Sequence, residues 1–481
     1  MASTQQTLVS ERALPATPAV ALPGPKPAPL IGWHREVFRW SRDPIGYLTA
    51  LYENFGTLSG WQMKRPRVFA FGPSYNEQIL RNPELFRMMM MPQAGPQPTP
   101  KGSEALTCLR SGLLTLDGET HKQHRQVMAP AFSHREIERH RAAIVAITGR
   151  MLDGWRAGET RDVEQEMRGL VHKIALRAIL GVEDENETER IARLIEQFVS
   201  SAPGALGFPI RLPGTSYNRF LGGAQKIYKL LETFVAQKRA QSDHTDDALA
   251  ILVRARDERG AALTDAQLIG EAYNVLCHES TASTLTWALF LIAQHPEIGA
   301  SLAEELHSTL RGEEPSGKQS EELVLLDRVV KETLRIVPAA PYSRRVSAAA
   351  FSFGDIGFPE GTVVFFSQYI TQRMSSIFPE PRKFLPVRWE KHKPTTYEYF
   401  PFGAGAHNCI GATFALLEMK VILAMLMQRF RLTVPQGARV DRRFELSLRP
   451  KRGMKMKIAT QDRGGRKSVV TGDITQMVDL S

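Results

Sequence analysis

The sequence predicts a mainly α-helical fold with small β-sheets, built as one large domain around a long buried helix. Three observations carry that prediction. The stretch "AYNVLCHESTASTLTWALFLIA" is apolar nearly all round apart from one polar island, as a helix crossing the interior of a large domain must be. Helical patterns predominate from about Asp117 to Gly312. Strand-like runs are few, short and confined to the flanks of that region.

In chain order, residues 1–30 read as an extended, proline-rich lead-in, residues 31–459 as the domain, and residues 460–481 as a polar, loose tail with few large apolar side chains. The segment Ala13 to Gly32 is apolar, but recurrent prolines bar it from satisfying its own backbone in lipid. No basic region followed by an apolar stretch marks a secretion signal. Thr57 to Gly72 reads as two short strands around a turn at Lys64-Arg65-Pro66. Arg87 to Ala105, rich in Met, Pro and Gly, reads as a loop, either a surface connection or an adaptable substrate-facing lining. Thr264-Asp265 offers the cap of the long helix, which runs to about Gln294. That is roughly 30 residues, or about 45 Å. Beyond Pro338, strands return at Phe351 to Phe353 and, after the turn Pro359-Glu360-Gly361, at Thr362 to Phe366.

Composition narrows the function classes. A chain of 481 residues holds two or three ordinary domains or one large one, and 43% hydrophobic with 23% charged residues describes a soluble globular protein. The formal net charge is +10, but Lys and Arg are dispersed, so they read as a solvated surface and not as a nucleic-acid footprint. A basic face for an acidic protein partner stays open. Cys108, Cys277 and Cys409 are odd in number and widely spaced, with no disulfide framework and no CxxC zinc pair. That favours a reducing compartment, and the chain reads as cytoplasmic.

One cysteine stands out. In "FPFGAGAHNCIGATFALLEMK", Cys409 follows Gly403 and Gly405, which permit tight turns and close backbone approach, and precedes a nearly all-apolar helix from about Gly411 to Phe430. The unsatisfied N–H groups and positive dipole end of that helix would stabilise a thiolate, and Phe402 could shield one side of the sulfur. Such a thiolate suits a buried iron site; one cysteine cannot hold an iron–sulfur cluster, so haem fits better.

Phe402, Gly405, His407, Cys409 and Gly411 follow the spacing F-x-x-G-x-[R/H]-x-C-x-G and so resemble the haem-binding loop of the cytochrome P450 family, with His407 where Arg is usual. Supporting segments follow the family's order. "ETLR" supplies Glu332 and Arg335 at i, i+3, and "FLPVRW" supplies Arg388, resembling the family's charge network on the haem-proximal side. "DGETHKQHRQVMAPAF" resembles the helix beside the haem, with His121 and Arg125 at i, i+4 implied as propionate donors; Arg345 is implied as a third, with Arg344 adjacent.

The long helix is similar to the family's oxygen-activating helix. Leu276 and Cys277 replace the usual small pair, Glu279 keeps the acid, and Ser280 stands for the usual threonine, followed by Thr281. A buried Glu beside a hydroxyl is costly without a purpose, and proton relay is one; a polar kink with Ser bonded to the i−4 carbonyl is the other. The departures imply a narrower space over the haem and a freer hydroxyl, hence imperfect coupling or a reaction other than simple hydroxylation. The resemblance implies a monomeric haem-thiolate monooxygenase with haem b (iron protoporphyrin IX) on Cys409. It would take O2 and two electrons to hydroxylate or epoxidise a terpenoid, fatty acid, steroid or macrolide-like molecule. No GxGxxG fingerprint accompanies it, so electrons come from a separate ferredoxin or flavodoxin and its NAD(P)H-dependent reductase. Lys122, Arg125, Lys420 and Arg429 would dock the carrier. Family topology implies substrate contacts at Met88 to Met91, Phe208, Leu212, Asn274, Leu276, Cys277, Ala340, Tyr342, Leu446 and Ser447. Two other readings share the scaffold: an O2-independent peroxygenase or hydroperoxide isomerase or dehydratase, and a haem-binding sensor or carrier.

Overall fold

The structure, a computed structural model, describes residues 21–89, 100–207, 212–241, 247–276 and 279–480. Helices dominate, and the long central helix is described as Asp265–Leu276 and Glu279–Gln294. Its start is capped as the sequence predicts: the Gln267 N–H donates to Thr264 Oγ1 at 3.3 Å while Gln267 Oε1 accepts from the Thr264 N–H at 2.8 Å. Its second half is buried on nearly every face, Trp287 and Phe290 completely so. Each such side chain contributes about 1.5–3 kcal/mol by leaving water.

Val163–Leu180 packs along this helix, and Ala412–Arg429 and Val324–Ile336 pack on its other sides. Glu185–Gly207 and Ser216–Gln241 form an antiparallel pair beside it. The largest sheet has the order Leu58–Trp61, Arg67–Ala70, Val363–Phe366, Ser343–Ser347, Phe86–Met88, with only the second and third strands parallel. A three-stranded sheet joins Thr160–Asp162, Lys455–Thr460 and Phe430–Thr433, and a hairpin pairs Arg442–Phe444 with Leu448–Pro450.

Three corrections to the sequence reading follow. Phe86–Met88, taken from Arg87 onward as loop, is an edge strand, because its amides pair with Ser343–Ser347 far along the chain. The described end of the lead-in is docked: Leu22 is buried and the Pro23 carbonyl accepts from the Gly60 N–H at 2.8 Å. The tail is not loose. Ile474, Met477 and Val478 are fully buried in the main core, on a helical turn at Ile474–Met477. Arg442 donates to the Asp473 carbonyl at 3.0 Å, and Arg373 to that of Met477 at 3.2 Å. Three apolar side chains at i, i+3 and i+4 are enough to seat a short segment whose composition is otherwise polar.

Candidate active site

The Cys409 loop is fixed by its backbone. The Cys409 N–H donates to the Phe402 carbonyl at 2.8 Å. Gly405 has φ +70°, and an added Cβ would overlap the Leu80 carbonyl oxygen, so only glycine fits. The loop lies where the three hydrophobic clusters meet: Phe402 packs on the first, Ile410 on the second, and Phe400 and Ala404 belong to the third. Burial pushes the Cys409 thiol up, opposed by the Gly411 N–H bonded to its sulfur and by the Arg125 charge. The side chain is nevertheless solvent-accessible.

Cationic groups gather nearby. Arg345, on the strand Ser343–Ser347, is buried with its guanidinium over the Phe366 ring at 5.4 Å. Burial pushes it down to about 10, while the Asp117 carboxylate pulls the other way. Asp117 accepts from the Met88 N–H at 2.9 Å and lies 3.3 Å from His407 Nε2. Burial works against its charge, but these partners hold its carboxyl below the usual range. The rings of His407 and His121 lie 3.9 Å apart, and burial, with His407 and Arg125 adding, pushes His121 down to about 4. Arg125 turns toward the cysteine loop, donating to the Asn408 carbonyl at 2.8 Å and to its amide oxygen.

Arg345, His121 and His407 are thus brought together, and Arg125 adjoins Cys409. Asp117, which also orients His407, was missed as a site residue. Its only sequence signal was the Asp-Gly pair ahead of the helix Gly118–Met128. The donor set fits an iron porphyrin. A thiol that accepts a helix-terminal N–H can ligate iron as a thiolate, and two imidazoles and a desolvated guanidinium with one carboxylate among them suit propionates.

On the long helix, Ser280 is exposed and Glu279 half-buried, whereas Thr281 is buried. Burial pushes the Glu279 carboxyl up, partly offset by Arg449 and Arg168. One turn on, Ser283 donates to the Leu448 carbonyl, which Trp287 Nε1 also reaches at 2.7 Å. The first turn of this helix therefore faces the hairpin that carries Arg449. A charged cluster continues outward: Arg449 lies 3.7 Å from Glu164, Arg168 3.8 Å from Glu164 and 3.1 Å from the half-exposed Glu196.

The predicted substrate contacts divide. Ala339 and Leu448 are joined by a 2.9 Å backbone bond, so Ala340 and Ser447 lie on adjoining segments, Ser447 buried and Leu446 exposed. Tyr342 sits in an aromatic group with Trp40 and Phe444 at 4.8 and 5.1 Å. The Asn274 amide nitrogen is buried without a hydrogen-bond partner among the described residues. Leu276 is buried and belongs to the second cluster. Met88 is half-buried on its edge strand, and Leu212 is exposed. Met91, Phe208 and Cys277 lie outside the described residues.

Glu332, Arg335 and Arg388 form the network that the family resemblance implies. Glu332 accepts from Arg335 Nε and Nη2 at 2.9 Å each, Arg388 Nε at 3.0 Å, the Leu385 N–H at 3.0 Å and Trp389 Nε1 at 2.9 Å. Arg335 spends its remaining donors on the carbonyls of Gln372, Pro381 and Lys383. The basic docking group is weaker than read from sequence, since Lys420 pairs with Asp327 and Arg429 with Asp153, both at 2.6 Å.

No helix among the described residues is long and apolar enough to cross a membrane. The family description Cytochrome P450 matches residues 22–458. Cyclooctat-9-en-7-ol 5-monooxygenase of Streptomyces melanosporofaciens is 27% identical over 446 residues, which span 90% of this chain and 94% of that protein. Pentalenene oxygenase of Streptomyces avermitilis is 29% identical over 69% of this chain and 76% of its own length. The solved structure of retinoic acid-bound cyanobacterial CYP120A1 shares the fold with a TM-score of 0.80, covering 91% of this chain and 99% of its own at 23% identity. The family implies a haem-thiolate cofactor, dioxygen and electron-donating partners. With the family's pattern running through almost the whole chain and its fold reproduced as one domain, this chain belongs to the cytochrome P450 family and is an oxidoreductase of the monooxygenase type.

Proposed function

We propose that this chain holds haem b through Cys409 and oxidises a terpenoid, by hydroxylation or epoxidation, with electrons from a separate ferredoxin or flavodoxin and its reductase. The observation that carries this reading is Cys409 itself, accessible at the junction of the three clusters with the Gly411 N–H on its sulfur. The terpenoid assignment is supported by the two Streptomyces relatives, named for oxygenating cyclooctat-9-en-7-ol and pentalenene. When bound, haem-thiolate supplies dioxygen activation and insertion of one oxygen atom into substrate.

The chain's own residues do the rest. The helix-terminal N–H and the Arg125 charge favour the thiolate of Cys409 over the thiol. Arg345, His121 and His407 would hold the haem propionates, and Asp117 orients His407. Ser280 presents a hydroxyl, and Glu279, with its pKa raised, can both accept and release a proton. Arg449 and Arg168 act on Glu279 as neighbouring charges, and both approach Glu164, with Arg168 also pairing with the half-exposed Glu196. The aromatic group around Tyr342 and the apolar segments at Ala340 and Leu446 exclude water from an apolar substrate. The protein acts as a cytoplasmic monomer, with the chain from Leu22 through the docked segment Ile474–Val478 forming the catalytic domain.

The test is a panel of terpenes, fatty acids, steroids and macrolides added to purified holoenzyme. Terpenes should shift the haem spin state and, with a ferredoxin, its reductase and isotopically labelled dioxygen, yield product carrying one labelled oxygen. A spin shift confined to another class overturns the substrate assignment. Turnover with peroxide but not with dioxygen and reductant overturns the monooxygenase mechanism in favour of the peroxide-dependent class.

A further inference from the structure

Ten large hydrophobic side chains are exposed among the described residues, and four of them, Leu30, Ile31, Val37 and Phe38, fall within nine positions. Single exposed apolar residues are ordinary; a local concentration of them marks a surface that meets something. Two elements build it. Around Leu30 the chain makes a tight loop closed by paired bonds between Ala28 and Gly32, at 2.9 and 2.8 Å. Leu30 sits at its tip with φ +66°, a conformation unfavourable for leucine, and is 106% exposed. Next comes the helix His34–Arg42. Its inner side is anchored: Trp33 stacks on Trp61, Glu36 is fully buried, and Trp40 packs on Tyr342 and Phe365. Val37 and Phe38 are left outside, Phe38 at 64% exposure.

Cations flank these side chains. Lys26, Arg35, Arg39 and Arg42 are exposed against one carboxylate, Glu36, so residues 26–42 carry an excess of three positive charges. Glu36 faces inward, where it takes Arg35 and Arg39 at 2.8 and 3.3 Å; Lys26 and Arg42 form no ion pair among the described residues. Projecting apolar tips ringed by Arg and Lys, on a convex loop and helix, match the chemistry of an anionic bilayer surface. A second copy would bring a like-charged patch against this one, which disfavours self-association through it.

We propose that residues 26–42 seat this protein on an anionic lipid surface, with Leu30, Ile31 and Phe38 entering the headgroup–acyl boundary and the basic residues contacting lipid phosphates. The helix lies on the surface and does not span it. Trp40, on the same helix, touches Tyr342 at 4.8 Å, so the seat adjoins the wall proposed to meet substrate, and an apolar substrate dissolved in lipid would have a short route. That last link rests on the oxygenase reading; the seating does not.

The test is flotation of the full-length holoenzyme with vesicles of phosphatidylcholine alone, and of phosphatidylcholine with one part in four phosphatidylglycerol. The protein should float with the anionic vesicles at least about tenfold more than with the neutral ones, and less as salt rises. The double variant Leu30→Ser, Phe38→Ser should lose that binding with an unchanged thermal melt, since both side chains are exposed. Arg42→Gln should weaken it partially. Absence of flotation with anionic vesicles overturns the proposal, as does binding that survives the double variant. A concentration-dependent dimer abolished by Phe38→Ser would overturn it in favour of a second copy. None of these readouts uses turnover, so failure here and failure of the oxygenase reading are separable.

Discussion

Glu332 and Glu279 are both glutamates of helices in the interior, yet their surroundings push them in opposite directions. Glu332 is fully buried but accepts five hydrogen bonds, three of them from two arginines, and its carboxyl is held below the usual range despite its burial. Glu279 is less buried, has arginines only as neighbouring charges, and its carboxyl is pushed up. Depth alone does not decide which carboxylate stays charged; the number of donors aimed at it does. The satisfied one orders structure, and the one left short of partners gives up its proton less readily than a free carboxyl.

The strongest test of that contrast is Glu332→Gln. It should strand the buried Arg335 charge and cost about 3–5 kcal/mol, read as a lower urea midpoint. A loss below about 1 kcal/mol, the worth of an exposed pair, would erase the difference between the two sites. The wild-type protein should show the linked pH behaviour. Because the folded pKa of Glu332 lies below its unfolded value, its contribution is present above the ordinary carboxylate pKa of 4.5 and is lost as pH falls through the folded value.

Next in size is Arg345→Gln, which removes a buried guanidinium with no carboxylate bonded to it among the described residues. Loss of one charged hydrogen bond, about 1.5–3 kcal/mol, should weaken haem retention roughly 10- to 100-fold in transfer of the haem to apomyoglobin. Ser280→Ala comes third. A hydroxyl worth about 1 kcal/mol should raise peroxide released per electron roughly fivefold, and unchanged coupling would move the proton path elsewhere.

The smallest effect belongs to Glu279→Gln, and its smallness sharpens the comparison. At neutral pH its urea midpoint should lie slightly above that of wild type, which has then lost the contribution of the neutral carboxyl. The folded pKa of Glu279 is raised, so its favourable contribution is present below the unfolded value and is lost as pH rises through the folded one. The stability of the Gln variant relative to wild type should therefore grow with pH, opposite in sign to the behaviour of Glu332. A Gln variant that loses ground as pH rises would contradict the assignment.

What the sequence made legible follows from chain distance. The Cys409 loop, the Glu332–Arg335 pair and the cap at Thr264 are local patterns, readable because spacing alone puts the groups on one turn or face. The Asp117–His407 contact joins residues from separate halves of the chain, and the meeting of Glu279 with Arg449 depends on a hairpin whose strands carry little periodicity. Neither is legible before tertiary packing. The tail misled because a polar average concealed Ile474, Met477 and Val478, which seat it.

The most direct measurement is the carbon monoxide difference spectrum of the dithionite-reduced protein, taken for wild type and Cys409→Ala. A far red-shifted Soret band in the wild type, absent from the variant, is expected if Cys409 holds haem as a thiolate. A band typical of histidine ligation, or a red-shifted band that survives loss of Cys409, would contradict it.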